Sequence, residues 1–212
     1  MLNHIRRVLQ NRAHAGRLLA EKLSAYRNSD SVIVAVPHGG VPVGVEMAKA
    51  LRLPLEISFS RRIKHPANSD LSIGAVSLDE VLLDETMQHI PQHYILNQIA
   101  LLKRNLQHQF NAYYSERDHP DLKDKNVILV DDVLRDPGQL QASLQSLKKQ
   151  QPARIIVAAP VATSGSVGSL LDEYHVEYLF MDFHTPNKSQ AYFPDMEESE
   201  TRAMVSEARL LS

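Results

Sequence analysis

The chain has 212 residues, 43% hydrophobic and 23% charged, with a formal net charge of -2. That is globular composition, enough for one domain with a sizeable core, and it lacks the basic surplus of a protein built to hold nucleic-acid backbones. With no cysteine there is no disulfide, thiolate metal site or thiol nucleophile, and no apolar run approaches the roughly 20 residues of a membrane span.

The N-terminal stretch MLNHIRRVLQNRAHAGRLL has no uninterrupted apolar segment of the signal-peptide kind. A cytoplasmic protein without membrane or nucleic-acid partners is therefore expected. Ile5, Val8, Leu9, Leu19 and Leu23 fall at helical spacing with charges between them, which predicts one amphipathic helix over 3–26. SVIVAVPHGG is a β-branched run stopped by Pro and two glycines, a strand entering a tight loop. VGVEMAKAL predicts a helix and LPLEISFS a second strand. RRIKHPANSD reads as a basic, turn-rich loop, and IGAVSLDEVLLDE as a short antiparallel hairpin. Ile95, Ile99, Leu102, Leu106 and Phe110 keep steps of three or four, so a long helix runs from Tyr94. DHPDLKDK is a solvated loop, NVILV a buried strand, and 139–149 a helix. RIIVAAPVA, SVGSLLDEY and VEYLFM follow as strand, helix and last strand. An aromatic loop and a closing helix over 197–210 complete the chain.

Apolar strands alternating with helices predict an α/β fold with a parallel sheet covered on both faces. The chain shows no repeat, low-complexity tract or linker, so 1–212 is expected to form a single domain. Ligands of open parallel sheets bind beyond the carboxyl ends of the strands. Three chemistry-bearing loops follow predicted strands: Pro37–Gly40, the loop of Arg61, Arg62 and Lys64, and the turn after Asp131 and Asp132.

Asp131 and Asp132 end the run VILV. At a strand end, where the backbone turns, both can approach one ligand. A carboxylate pair accepts hydrogen bonds from a sugar diol or holds a hydrated Mg²⁺; it also reads as a helix cap plus a surface charge. A phosphoacceptor receiver domain is disfavoured, because its acidic pair lies near the chain start. A P-loop nucleotidase is excluded, because none of the eight glycines is followed by Lys. Gly39 and Gly40 stand between a strand and a helix, where backbone N–H groups and the helix N-terminus favour an anion. They also fit an ordinary strand-to-helix turn. A glycine loop, a basic cluster and an acidic pair together describe a pocket for a phosphorylated sugar. The histidines show no metal-ligand spacing with an acidic partner, since Pro91 separates His89 from His93.

In these residues the chain resembles the type I phosphoribosyltransferases, and more narrowly a bacterial group of predicted members. That group carries a "DAGRxLA" helix, a "PRGG" loop, an "RK…P…ELAIGAV" segment and a "VILVDDG…TG" turn. Here AHAGRLLAEKL, VPHGG, RRIKHPANSDLSIGAVSLDE and VILVDDVLRDPG follow in the same order, and VAAPVA and TPNKSQAYFPDM also fit. The resemblance covers nearly the whole chain. It implies a parallel-sheet phosphoribosyltransferase fold with an antiparallel flap and a small hood from the N-terminal helix and residues 182–212.

It further implies Mg²⁺-dependent transfer of phosphoribosyl from phosphoribosyl pyrophosphate to, or from, a nitrogenous base. Asp131 and Asp132 would hold the ribose hydroxyls. Arg135, Asp136, Gly138 and Gln139 would wrap the 5′-phosphate, and His38, Gly39 and Gly40 the pyrophosphate. Arg61, Arg62 or Lys64 would cover the leaving group, and Phe183, Tyr192 or Phe193 would stack on the base. The metal would bind through ligand and water, and a homodimer is the commonest assembly.

The chain departs from the family in the turn after the acidic pair, usually of the form "xTGxT". Asp136, Pro137 and Gln139 replace the first hydroxyl, the first glycine and the second hydroxyl. Pro137 removes one N–H donor. Asp136 brings a like charge whose contact near 4 Å would cost roughly 4 kcal/mol at an effective dielectric of about 20. Arg135 can offset this by pairing with Asp136 or meeting the phosphate. Asp-Pro is also a good helix start. A ligand-sensing, non-catalytic member with a degraded phosphate turn is the alternative function. His38 stands where the family often has Arg. If His38 serves pyrophosphate, activity rises as pH falls toward about 6; a flat pH–rate profile contradicts that role.

Overall fold

A computed structural model describes residues 8–37, 39–84, 89–113, 121–134, 137–163, 168, 170–182, 192–194 and 196–210. The chain divides into two compact units, 1–58 with 120–135 and 151–212, and 59–119 with 136–150. Among the described residues no helix is long and apolar enough to cross a membrane.

The first unit is built on a six-stranded parallel sheet. Its strands are β1 (Ser31–Ala35), β2 (Leu55–Ile57), β6 (Asn126–Val130), β7 (Val133–Leu134), β8 (Arg154–Thr163) and β9 (His175–Asp182). The order is β2-β1-β6-β8, with β7 and β9 also paired to β8. Every residue of β1 is buried, as are the last four of β6. That is the near-continuous apolar character of strands covered on both faces. Each fully buried Ile or Leu, such as Ile33, Ile128, Leu129 and Ile156, contributes about 1.5–3 kcal/mol.

This unit holds the helices α1 (Arg12–Lys22), α2 (Gly40–Leu51) and α5 (Glu198–Leu210), and residues 168, 170 and 171 are also helical. The first is shorter than its periodicity predicts. Asn11 has extended backbone angles, and its side chain accepts the His14 N–H at 2.8 Å, so the helix is capped there. At the other end the chain passes into a single 3₁₀ turn, Ser24–Tyr26. Residues 3–7 of the predicted helix lie outside the described residues, and Val8 is helical before the break at 9–11. Helix α1 packs on α2 through Gly16, where a Cβ would lie 2.5 Å from the Val43 carbonyl oxygen.

The second unit holds an antiparallel sheet, β3 (Ser60–His65), β4 (Asn68–Ser77) and β5 (Val81–Leu83), with helices α3 (Gln92–Tyr113) and α4 (Pro137–Lys149) packed on β3 and β4. The predicted hairpin is β4–β5. The stretch read as a basic loop is instead strand β3, a two-residue turn at Pro66–Ala67 and the start of β4. Only Ile63 of Arg61–His65 is buried, so the apolar alternation that announces a strand is nearly missing, and cross-strand pairing with β4 decides the structure. Ser60 and Ser143 share a buried hydroxyl hydrogen bond of 2.7 Å, and Phe59 meets Phe110 edge to face at 5.5 Å. Helix α4 begins at Pro137, two residues earlier than predicted, since Pro suits the first helical position.

Gly16→Ala should therefore destabilise the protein by about 1–3 kcal/mol, because its methyl meets rigid backbone; chemical denaturation reads the loss.

Candidate active site

The chain leaves β1 toward β2 on one side, and leaves β6 toward β8 on the other. The order thus reverses between β1 and β6, where open parallel sheets form a crevice beyond their carboxyl ends. The loop after β1 carries Gly39 and Gly40, and the turn after β6 carries Asp131 and Asp132. Val36 N–H donates to Val130 O at 2.8 Å, so the two chain segments remain side by side as they leave the sheet.

The acidic pair occupies a break in a strand. Val130 pairs with Ala158 and Val133 with Val161, so β6 and β7 lie on the same edge of β8 in the same register. Asp131 N–H still donates to Ala158 O at 3.1 Å. Pro160, two residues further along β8, faces the same edge and has no N–H to return. The ladder stops there, and the Asp132 N–H donates to Asp131 Oδ1 at 2.8 Å.

The two carboxylates then part. Asp131 is half-buried, whereas Asp132 is 3% exposed. Asp132 Oδ2 accepts from Arg12 Nε at 3.0 Å and Arg12 Nη2 at 2.7 Å. Arg12, itself 8% exposed, donates through Nη1 to the Pro194 carbonyl and lies 5.0 Å above the Phe193 ring centre. A Cβ on Gly39 would overlap the Asp132 carboxyl group, and one on Gly40 would lie 2.5 Å from Val130 O. The glycines are therefore needed to let the start of α2 press onto the acidic turn.

Of the residues singled out in the sequence, Gly39, Gly40, Asp131 and Asp132 come together. The expectation that both aspartates face a ligand meets a different arrangement, with Asp132 turned to Arg12. Gly138 and Gln139 lie in the first turn of α4, and Arg61, Arg62 and Lys64 lie on β3. Within the second unit, Arg61 Nη2 donates to Gln109 Oε1 at 3.0 Å, and the Lys64 carbonyl accepts from Tyr94 Oη at 2.9 Å. Tyr192 is 6% exposed, donates its hydroxyl to Asp182, and packs with Leu9, Ala15, Val133, Val161 and Phe193. Tyr192 and Phe193 thus close the core in this structure. His38, Arg135, Asp136 and Phe183 lie outside the described residues. Among the described residues no three His, Asp or Glu side chains gather as a metal cluster.

Sequence reasoning passed over Arg12 and Pro160. Pro160 carried a signal, a proline inside an otherwise apolar strand. Arg12 carried none beyond its place directly after an Asn cap.

A model of the phosphoribosyl transferase domain matches residues 4–183. The chain belongs to that family. Two Mycobacterium tuberculosis proteins assigned as phosphoribosyl transferases are 27% identical over 161 residues, covering 73% of this chain and 36% of each relative. The chain thus spans about a third of their length. The structure of TT1426 from Thermus thermophilus superposes with a TM-score of 0.76 at 28% identity, over 93% of this chain and 97% of that one. A protein from Neisseria gonorrhoeae shares the fold at 14% identity and a TM-score of 0.53, over 95% and 94% of the two chains.

In this phosphoribosyl transferase chain the glycine loop and the acidic turn have no spare volume between them. Gly39→Ala should displace the Asp132 carboxylate from Arg12 and cost about 1–3 kcal/mol, read as a lower midpoint in chemical denaturation with an unchanged slope.

Proposed function

We propose that the chain binds phosphoribosyl pyrophosphate at the carboxyl ends of β1 and β6 and transfers its phosphoribosyl group to, or from, a nitrogenous base. The meeting of the Gly39–Gly40 turn with the acidic break at the sheet's reversal point carries this reading. Asp131 offers a half-buried carboxylate to the ribose hydroxyls. The start of α2 offers backbone N–H groups and a partial positive charge to pyrophosphate. Arg61, Arg62 and Lys64, and the turn 135–139, enter through the family resemblance.

Mg²⁺ fits this donor set, because it binds through one or two carboxylates, substrate phosphates and water, without a protein cage. Asp131 would hold it, directly or through water, and the ion would neutralise charge on the departing pyrophosphate. The chain's own part is to orient the ribose and to stabilise the developing negative charge with fixed dipoles. A homodimer and a nucleobase acceptor belong to the same reading.

A ligand-sensing member without turnover is the second reading. One feature favours it: Pro137 deprives the turn after the acidic pair of a backbone N–H donor.

Calorimetry with phosphoribosyl pyrophosphate, with and without Mg²⁺, on wild type and Asp131→Asn, tests both. Mg²⁺-dependent binding weakened at least about tenfold by Asp131→Asn, with product formed from one of a panel of bases, is the expected result. Tight binding without turnover on any base favours the sensor. No binding at millimolar ligand by folded protein refutes both.

A further inference from the structure

The guanidinium of Arg12 gathers three separate parts of the first unit. Its Nε and Nη2 hold one oxygen of Asp132, its Nη1 holds the Pro194 carbonyl, and its face lies over Phe193. Both ends of the ion pair are nearly inaccessible, at 8% and 3% exposure. Pulling Asp132 out of such a pair leaves a buried cation without its partner, a cost far above what one ribose hydroxyl returns.

The pair also acts beyond itself. Arg12 fixes the Asp132 carboxylate and so the backbone that bears it. The Asp132 N–H in turn donates to Asp131 Oδ1 at 2.8 Å. Gly16, four residues after Arg12 and so one turn along the same face of α1, lets that helix approach α2 closely.

We propose that Arg12 is a positioning residue for the acidic turn: it withdraws Asp132 from ligand contact and, through the Asp132 amide, holds Asp131 as the carboxylate that reads the pentose hydroxyls. The ligand half of this inference rests on the phosphorylated-pentose reading above. One carboxylate can serve a diol, one hydroxyl on each oxygen.

The probes are ribose 5-phosphate and 2-deoxyribose 5-phosphate, titrated by calorimetry at a temperature where circular dichroism shows each variant folded. Wild type should prefer the ribose form by about tenfold, the worth of one hydrogen bond to a charged group. Asp131→Asn should abolish the preference. Arg12→Lys keeps the charge but loses the two-pronged fork, and should shrink the preference to within about threefold. Adding Asp131→Asn to Arg12→Lys should remove only that residual preference, well short of the tenfold it removes from wild type, because the two act in series. Arg12→Gln replaces Arg12→Lys if the latter does not fold, with the same expectations. A full preference retained in the Arg12 variant, or losses that add, overturns the proposal.

If wild type binds neither sugar, the phosphorylated-pentose reading fails, and amide exchange then decides the positioning role. Exchange at the Asp132 amide at least about tenfold faster in Arg12→Lys, with Val34 in β1 unchanged, supports it. Unchanged exchange at Asp132 overturns it.

Discussion

A buried ion pair in a broken strand organises the first unit. Pro160 cannot return a hydrogen bond to the neighbouring edge, so β6 stops at Val130 and β7 resumes at Val133. The backbone between them is freed to turn, and Asp132 swings to Arg12. Taking both charges out of water is expensive, and such a pair adds less net stability than apolar packing of the same volume. Its consequence is orientation. The guanidinium ties α1, the acidic turn and the Pro194 carbonyl together, and separating Arg12 from Asp132 would leave a buried charge alone.

The glycines follow from that constraint. With Asp132 held beneath the start of α2, any side chain at Gly39 would occupy its carboxyl group. The crevice at the sheet's reversal point is thus shaped by what must fit under it. The similarity to TT1426, at a TM-score of 0.76 and 28% identity, shows how far the architecture holds while most residues differ. Sheets of buried β-branched residues tolerate such exchange because volume and pattern matter more than identity.

Much of the fold was legible in the chain. The runs SVIVA, NVILV and RIIVAA read as buried strands, and each pairs in the parallel sheet. The hairpin after Ile73 and the long helix up to Tyr113 were also visible in their periodicity. The misses share a cause. β3 has one buried apolar residue and four basic ones, so nothing in its pattern announces a strand; pairing with β4 imposes it. The helical run expected over 3–26 is interrupted at 9–11, where the Asn11 side chain caps the helix that begins at Arg12 and outweighs the apolar spacing there.

By itself the sequence determined the alternation of strands and helices, the place of the glycine turn and the acidic turn along the chain, and the family those motifs resemble. These are local properties, set by side-chain period, backbone freedom and spacing. Only the tertiary structure separated Asp131 from Asp132. The two are adjacent and chemically identical, and nothing in their neighbours in sequence tells them apart. Their difference comes from an arginine more than a hundred residues earlier, a proline on the next strand and a glycine on the next helix. Burial and charge pairing are properties of the folded neighbourhood, so the roles of two identical residues diverge only once that neighbourhood exists.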